Sequence, residues 1–302
     1  MSIVRELTVG TFTPSLVIEL ARADGRFADA GLEVIEVAVT SSPQQFRALA
    51  SGEYDVIFTN PDNVIAYHFL RDNPLGENLS LRVIAGIDRG LGLGLFRGAH
   101  VGKSLPAGLL GVDVATSGFA FVAYELLARR GLSMSDMTVE NLGATPRRAE
   151  ALIRGACDYT ILNAGNDLRA LSQGCSLVAP VVEIGPYLAT ALVALHTDDV
   201  EVRAVQNQFR DALGATITSI LSGYRDDDVV AALQSLLGMT PEGALEHLRC
   251  MKDPATGLVA DLGVDTASLT TIVSLRTRHR PSEELTTVLE SLGDFVDADV
   301  LR

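Results

Sequence analysis

SPQQFRALASGEYDVIFTNPDN (residues 42–63) returns, without a gap, as TPRRAEALIRGACDYTILNAGN (residues 145–166). One offset of 103 carries Ser42 onto Thr145, Pro43 onto Pro146, Ala48 onto Ala151, Gly52 onto Gly155, Asp55 onto Asp158, Asn60 onto Asn163 and Asn63 onto Asn166. The same offset takes Thr13 onto Thr116. Each match has a structural job: a hydroxyl beside proline starts a helix, glycine closes it, and asparagine follows the next strand. The pattern predicts a duplicated half-fold.

Working outward, Leu7 to Gly10, Leu32 to Val39, Tyr54 to Phe58 and Leu81 to Ile87 are short β-branched runs between turn residues, as strands are. Ser15 to Ala30 and Pro43 to Ser51 carry apolar residues at helical spacing, with Thr13 and Ser42 placed to cap them. The order repeats as strand Val112 to Ala115, helix Phe119 to Arg130, strand Thr138 to Leu142, helix Pro146 to Arg154 and strand Tyr159 to Leu162. Alternating strands and helices imply parallel sheets with right-handed crossovers. Ala189 to His196 reads as a strand returning from the second half. The helices beyond it are Val200 to Ser222, Asp228 to Leu237, Thr240 to Met251 and Asp265 to Arg278. The expected fold is α/β, two Rossmann-like lobes with a ligand cleft between them. Lobe one is 1–96 plus 189–302, lobe two is 97–188, and hinges lie near 86–97 and 186–196. The helical C-terminal part is expected to pack on lobe one.

The bulk numbers exclude several classes. A net charge of −14 makes nucleic acid a poor partner, since that binding draws on clustered Lys and Arg. Runs such as Asp226 to Asp228 read as a helix start or a solvated face. Three cysteines, Cys157, Cys175 and Cys250, without CxxC spacing indicate neither a disulfide framework nor a metal site. No apolar run reaches the ~18 residues of a membrane span, so the chain is not expected to be membrane-embedded. The opening MSIVRELTVGTF has no basic and apolar leader. As it stands the chain is expected in the cytoplasm, or outside it if an export signal has been removed.

Three stretches then carry a resemblance: Gly10-Thr11-Phe12-Thr13-Pro14 after the first strand, FADAGLEV (27–34), and LASGEYD (49–55), whose sense GACDYTIL (155–162) repeats. They resemble the family of sulfonate, nitrate, taurine and thiamine-pyrimidine binding proteins of ABC transporters, a group that also holds the fungal pyrimidine-synthase-like proteins. The resemblance covers most of the chain and implies the type II periplasmic-binding-protein fold. It further implies a small organic ligand (a sulfonate, carboxylate or pyrimidine-like molecule) between the lobes, no cofactor, and an ABC-transporter permease as partner. By position it places Phe12, Thr13, Ser41, Ser42, Asn60 and Asp62 of lobe one at the ligand. From lobe two it places Thr116, Ser117, Gly118, Thr145, Asn163 and Asn166, with Tyr187 near the return crossing.

Plain structural readings stand beside these. The hydroxyls read equally as helix caps, the asparagines as turn residues, and Phe12 and Tyr187 as packing. Asp62 would favour a donor group on the ligand. Arg89 is open between clamping a carboxylate and pairing with Asp88.

Relatives of this fold include enzymes, so a lyase, decarboxylase or hydrolase on the same scaffold is the alternative. Against it, the loop TFTPS (11–15) has no cysteine, and HExxH, GxSxG and GxxxxGK[ST] are all missing. Were the chain an enzyme, Asp62, His68 and Arg89 are the candidates for acid–base work. His68, beside Tyr67 and Phe69, reads otherwise as a packed residue.

Overall fold

The computed structural model describes residues 4–302; part of the leader expectation falls on residues 1–3, outside them. In chain order the first lobe is built by β1 (Arg5–Thr11), α1 (Leu16–Ala23), α2 (Arg26–Asp29), β2 (Leu32–Ala38), α3 (Ser42–Ala50), β3 (Val56–Thr59), α4 (Pro61–Phe69) and β4 (Leu81–Asp88). The second holds β5 (Gly94–Arg97), β6 (Leu109–Val112), α5 (Gly118–Ala128), β7 (Thr138–Asn141), α6 (Thr145–Ile153), β8 (Tyr159–Leu162), α7 (Asn166–Ser172) and β9 (Ser176–Pro180). The chain returns through β10 (Thr190–Leu195) to α8 (Val200–Leu221), α9 (Asp226–Leu237), α10 (Pro241–Lys252), α11 (Thr266–His279) and α12 (Leu292–Phe295). Among the described residues no helix is long and apolar enough to cross a membrane.

Two separate sheets result, ordered β2-β1-β3-β10-β4 and β7-β6-β8-β5-β9. Each has one antiparallel strand, β10 or β5, supplied by a segment crossing from the other lobe, so the sheets are mixed rather than all parallel. Gly94 to Phe96, assigned from sequence to lobe one, pair in the second sheet. The first crossing is therefore the short run 89–93.

The repeat has a hydrogen-bond basis. Asp55 donates its amide to the Thr8 carbonyl and accepts the Thr8 amide on Oδ2 at 2.7 Å; Asp158 does both for Leu109, the latter at 2.6 Å. Each aspartate thereby fastens its third strand to the first. Val9 and Gly10 face Val56 and Ile57, while Leu110 and Gly111 face Tyr159 and Thr160. The first strands thus superpose at an offset of 101 instead of 103, so Thr13 and Thr116 are not structural equivalents.

Several boundaries moved for local reasons. The helix expected over Ser15 to Ala30 breaks at Gly25, whose φ of 75° is left-handed and open to glycine at little steric cost. The strand expected over Val112 to Ala115 ends at Val112, because Asp113 turns its carboxylate to the Ser42 amide of the other lobe. Ser15 and Ser41, not Thr13 and Ser42, cap α1 and α3, and Thr145 lies one residue inside α6 behind Ala144.

The C-terminal helices divide. α8 and α9 pack on α1, as expected, but α11 lies between α4 of lobe one and α5 of lobe two. It carries a buried ion pair: Arg276 donates Nε and one terminal nitrogen to the two oxygens of Asp62 at 2.7 and 2.6 Å, both residues at most 2% exposed. The same guanidinium donates to the Thr116 carbonyl at 3.1 Å and sits 4.9 Å over the Phe121 ring, both in lobe two. One buried cluster consequently runs from Phe46 and Tyr67 through Leu269 and Ile272 to Phe121 and Tyr159.

Replacing Arg276 by Met leaves Asp62 buried without its partner and is expected to cost about 3–5 kcal/mol in urea unfolding. The double variant Asp62→Leu, Arg276→Met should recover most of that loss.

Candidate functional site

Strand ends and helix starts of both lobes converge on one cavity of about 130 Å³. Of the residues expected there, Phe12, Thr13 and Asn60 line it from lobe one, and Ser117, Gly118, Thr145 and Asn163 from lobe two. Asn60 and Asn163, matched by the repeat, thus face the same space. Their side chains differ in use. The Asn60 amide nitrogen donates to the Tyr187 hydroxyl at 3.1 Å and the Ala189 carbonyl at 3.0 Å, while its oxygen caps α4 at the Asp62 amide. Asn60 therefore positions the wall more than it offers donors.

Other expected residues stand behind the wall or away from it. Asp62 is taken by Arg276. Tyr187 is buried behind Asn60, and burial pushes its hydroxyl pKa up. Ser41 caps α3, and Ser42 and Thr116 line a smaller neighbouring pocket. Asn166 ties the lobes, donating to the Thr13 hydroxyl at 3.4 Å and the Asn163 carbonyl at 3.2 Å. Arg89 pairs neither with a ligand-facing group nor with Asp88; it donates to Asp265 at 2.8 Å and to Ser268. His68 packs on Phe69 and Phe295 and accepts the Leu81 amide on Nδ1. None of Asp62, His68 and Arg89 lines the cavity, so the conditional acid–base set is not assembled there.

Four charged or titratable residues that sequence reasoning passed over do line it: Asp88, Asp113, Arg148 and His247. Asp88 ends β4, accepts the Gly90 amide at 2.8 Å, and is pushed by burial from 3.8 to about 6. Burial lowers His247 to about 4, which keeps its imidazole neutral at neutral pH. Arg148 is 2% exposed, and burial lowers it to about 10, with Asp113 pulling the other way. Its donors go to the carbonyls of Gly143 and Ile161 and the hydroxyls of Thr145 and Thr160. The repeat held a clue to it: Gln45, its counterpart at offset 103, likewise donates to the carbonyl of Phe58, the counterpart of Ile161.

No family model matches the chain, and no curated protein does. Solved structures match along nearly its whole length. The alkanesulfonate-binding protein SsuA from Xanthomonas axonopodis pv. citri, bound to MOPS, has 15% identity and a TM-score of 0.71 over 92% of this chain and 95% of its own. The nitrate-binding protein NrtA from Synechocystis PCC 6803 has 12% identity and a TM-score of 0.75 over 98% and 87%. A Candida albicans gene product with the generic periplasmic binding protein structural fold has 15% identity and a TM-score of 0.72 over 97% and 96%. The chain has the type II periplasmic-binding-protein fold.

In this instance of the periplasmic-binding-protein fold the two lobes touch across the cleft. The Ala144 amide donates to the Thr40 carbonyl at 3.0 Å, and the Ser42 amide to Asp113 at 3.2 Å. Gly118, at the start of α5, lies so close to lobe one that a Cβ there would stand 2.6 Å from both Asn60 Oδ1 and Asp62 Cβ. Only glycine permits that approach.

The raised Asp88 pKa sets a sign. Between about pH 4 and pH 6 the folded chain holds a proton that the unfolded chain has released, so this group's contribution to stability falls as pH rises through that window. Asp88→Asn should lack that fall when urea midpoints are compared across it. His247 acts in the opposite sense in both proteins and drops out of the difference.

Proposed function

We propose that the protein is a solute-binding protein that closes its two lobes over one small polar or aromatic organic molecule. The observation that carries this reading is a cavity formed by strand ends and helix starts of both lobes, the place where open α/β sheets take ligands. Phe12 and Phe119, one from each lobe, supply aromatic walls, and Asn163 and the hydroxyl of Ser117 supply polar contacts. The similar structures described as sulfonate- and nitrate-binding support solute capture as the general task. Opening would turn on the run 89–93 and on the segment leading into β10, and delivery would be to an ABC-transporter permease in an extracytoplasmic compartment.

Native mass spectrometry of the purified protein should find a bound small molecule, or thermal-shift screening of sulfonates, aromatic acids and pyrimidines should find a class that raises the unfolding temperature. Gly118→Val, which props the lobes apart at Asn60 and Asp62, is expected to abolish that response while leaving the unliganded protein folded. A full response from the valine variant would place the solute elsewhere.

A further inference from the structure

Two oxygens from the first loop of lobe two, Asp113 Oδ1 and Ser117 Oγ, are buried without a hydrogen-bond partner, and both residues line the cavity. Asp113 is 8% and Ser117 5% exposed, so bulk solvent has little access to either. A carboxylate oxygen only accepts, and leaving it buried and unbonded is costly; the group that belongs there is a donor.

The surrounding charge points the same way. Asp88 is a second carboxyl on the cavity, and His247 is held neutral. Arg148 is the one cation among the lining residues, and its nitrogens already serve two carbonyls and two hydroxyls. It offsets the charge of Asp113 without bonding it. The start of α5, whose dipole would favour an anion, has Asp113 on its own approach loop. A bare anion would thus meet Asp113 and Asp88, with four of the five N–H donors of Arg148 already engaged.

Resting on the solute-binding reading, we propose that the cleft selects a compact, apolar-bodied molecule carrying an N–H donor group, an amine, an amidine or an amino-substituted ring. The donor bonds Asp113 Oδ1 and Ser117 Oγ, the body lies against Phe12 and Phe119, and simple sulfonates and carboxylates are excluded.

Four probes that share one ring test it by calorimetry and thermal shift: benzamidine, benzamide, benzoate and benzenesulfonate. Benzamidine should bind and stabilise, and the two anions should not. Asp113→Asn should weaken benzamidine by about tenfold or more, and Ser117→Ala by about threefold, with unfolding temperatures without probe near that of the parent chain. The serine variant keeps the test informative if the aspartate variant folds poorly. Tighter binding of benzenesulfonate or benzoate than of benzamidine overturns the proposal, as does benzamidine binding unchanged in both variants. A co-purifying solute without an N–H group overturns it too but leaves solute binding standing. Silence from all four probes together with no co-purifying solute sinks both readings.

Discussion

A carboxylate buried at the start of a helix has to be answered, and in this chain the answer comes from 214 residues away. Asp62 cannot sit at the first turn of α4 with both oxygens out of water unless Arg276 covers them, so α11 must run past that spot. Once there, the guanidinium has donors left, and the Thr116 carbonyl and Phe121 ring of the second lobe take up its remaining faces. A residue pair that neutralises lobe one therefore also fixes where lobe two stands. Neighbouring charges reinforce the line: Glu125 of α5, almost fully buried, accepts both oxygens' worth of bonding from Arg278 of α11 at 2.7 Å, and Arg129 on its own helix adds a third bond.

The two halves keep the same scaffolding bonds and differ in what they place between them. Asp55 and Asp158 do identical work on their first strands, and Gln45 and Arg148 both hold the end of the third strand. Substituting a guanidinium for an amide at that position puts one positive charge beneath the second half alone. Asp113 then appears where the first half has Phe12, two residues after the corresponding glycines have been aligned through Gly10 and Gly111. The second lobe in this way sets a carboxylate at the position where the first sets an aromatic ring.

The lobes, their repeat and most helices were legible because they rest on local signals: β-branched runs, proline at helix starts, glycine at helix ends. β8 was read to the residue, and α8 and α11 to within a residue or so at each end. β5 and β9 escaped because strands of four and five residues, GLFR and SLVAP, carry little periodicity, and their pairing partners are distant. The lining residues that sequence reading missed escaped for a different reason. Asp62 was placed at the ligand by its position in the resemblance, and its partner Arg276 is invisible from that distance. Asp88 was weighed only as a partner for Arg89, and Asp113, Arg148 and His247 look like ordinary surface charges in sequence. Only folding shows that a strand end or a neighbouring helix carries them under cover.

The placement of α11 across both lobes has a kinetic side. Where two lobes meet only at crossing strands, the gap between them opens almost freely and a solute arrives at a rate set by diffusion. Here separation must also slide α5 off α11, breaking the Thr116 contact and part of a continuous apolar cluster. In the proposed solute-binding role, exchange would then be governed by how often that shear occurs, with entry and exit slowed together and the equilibrium between bound and free changed far less.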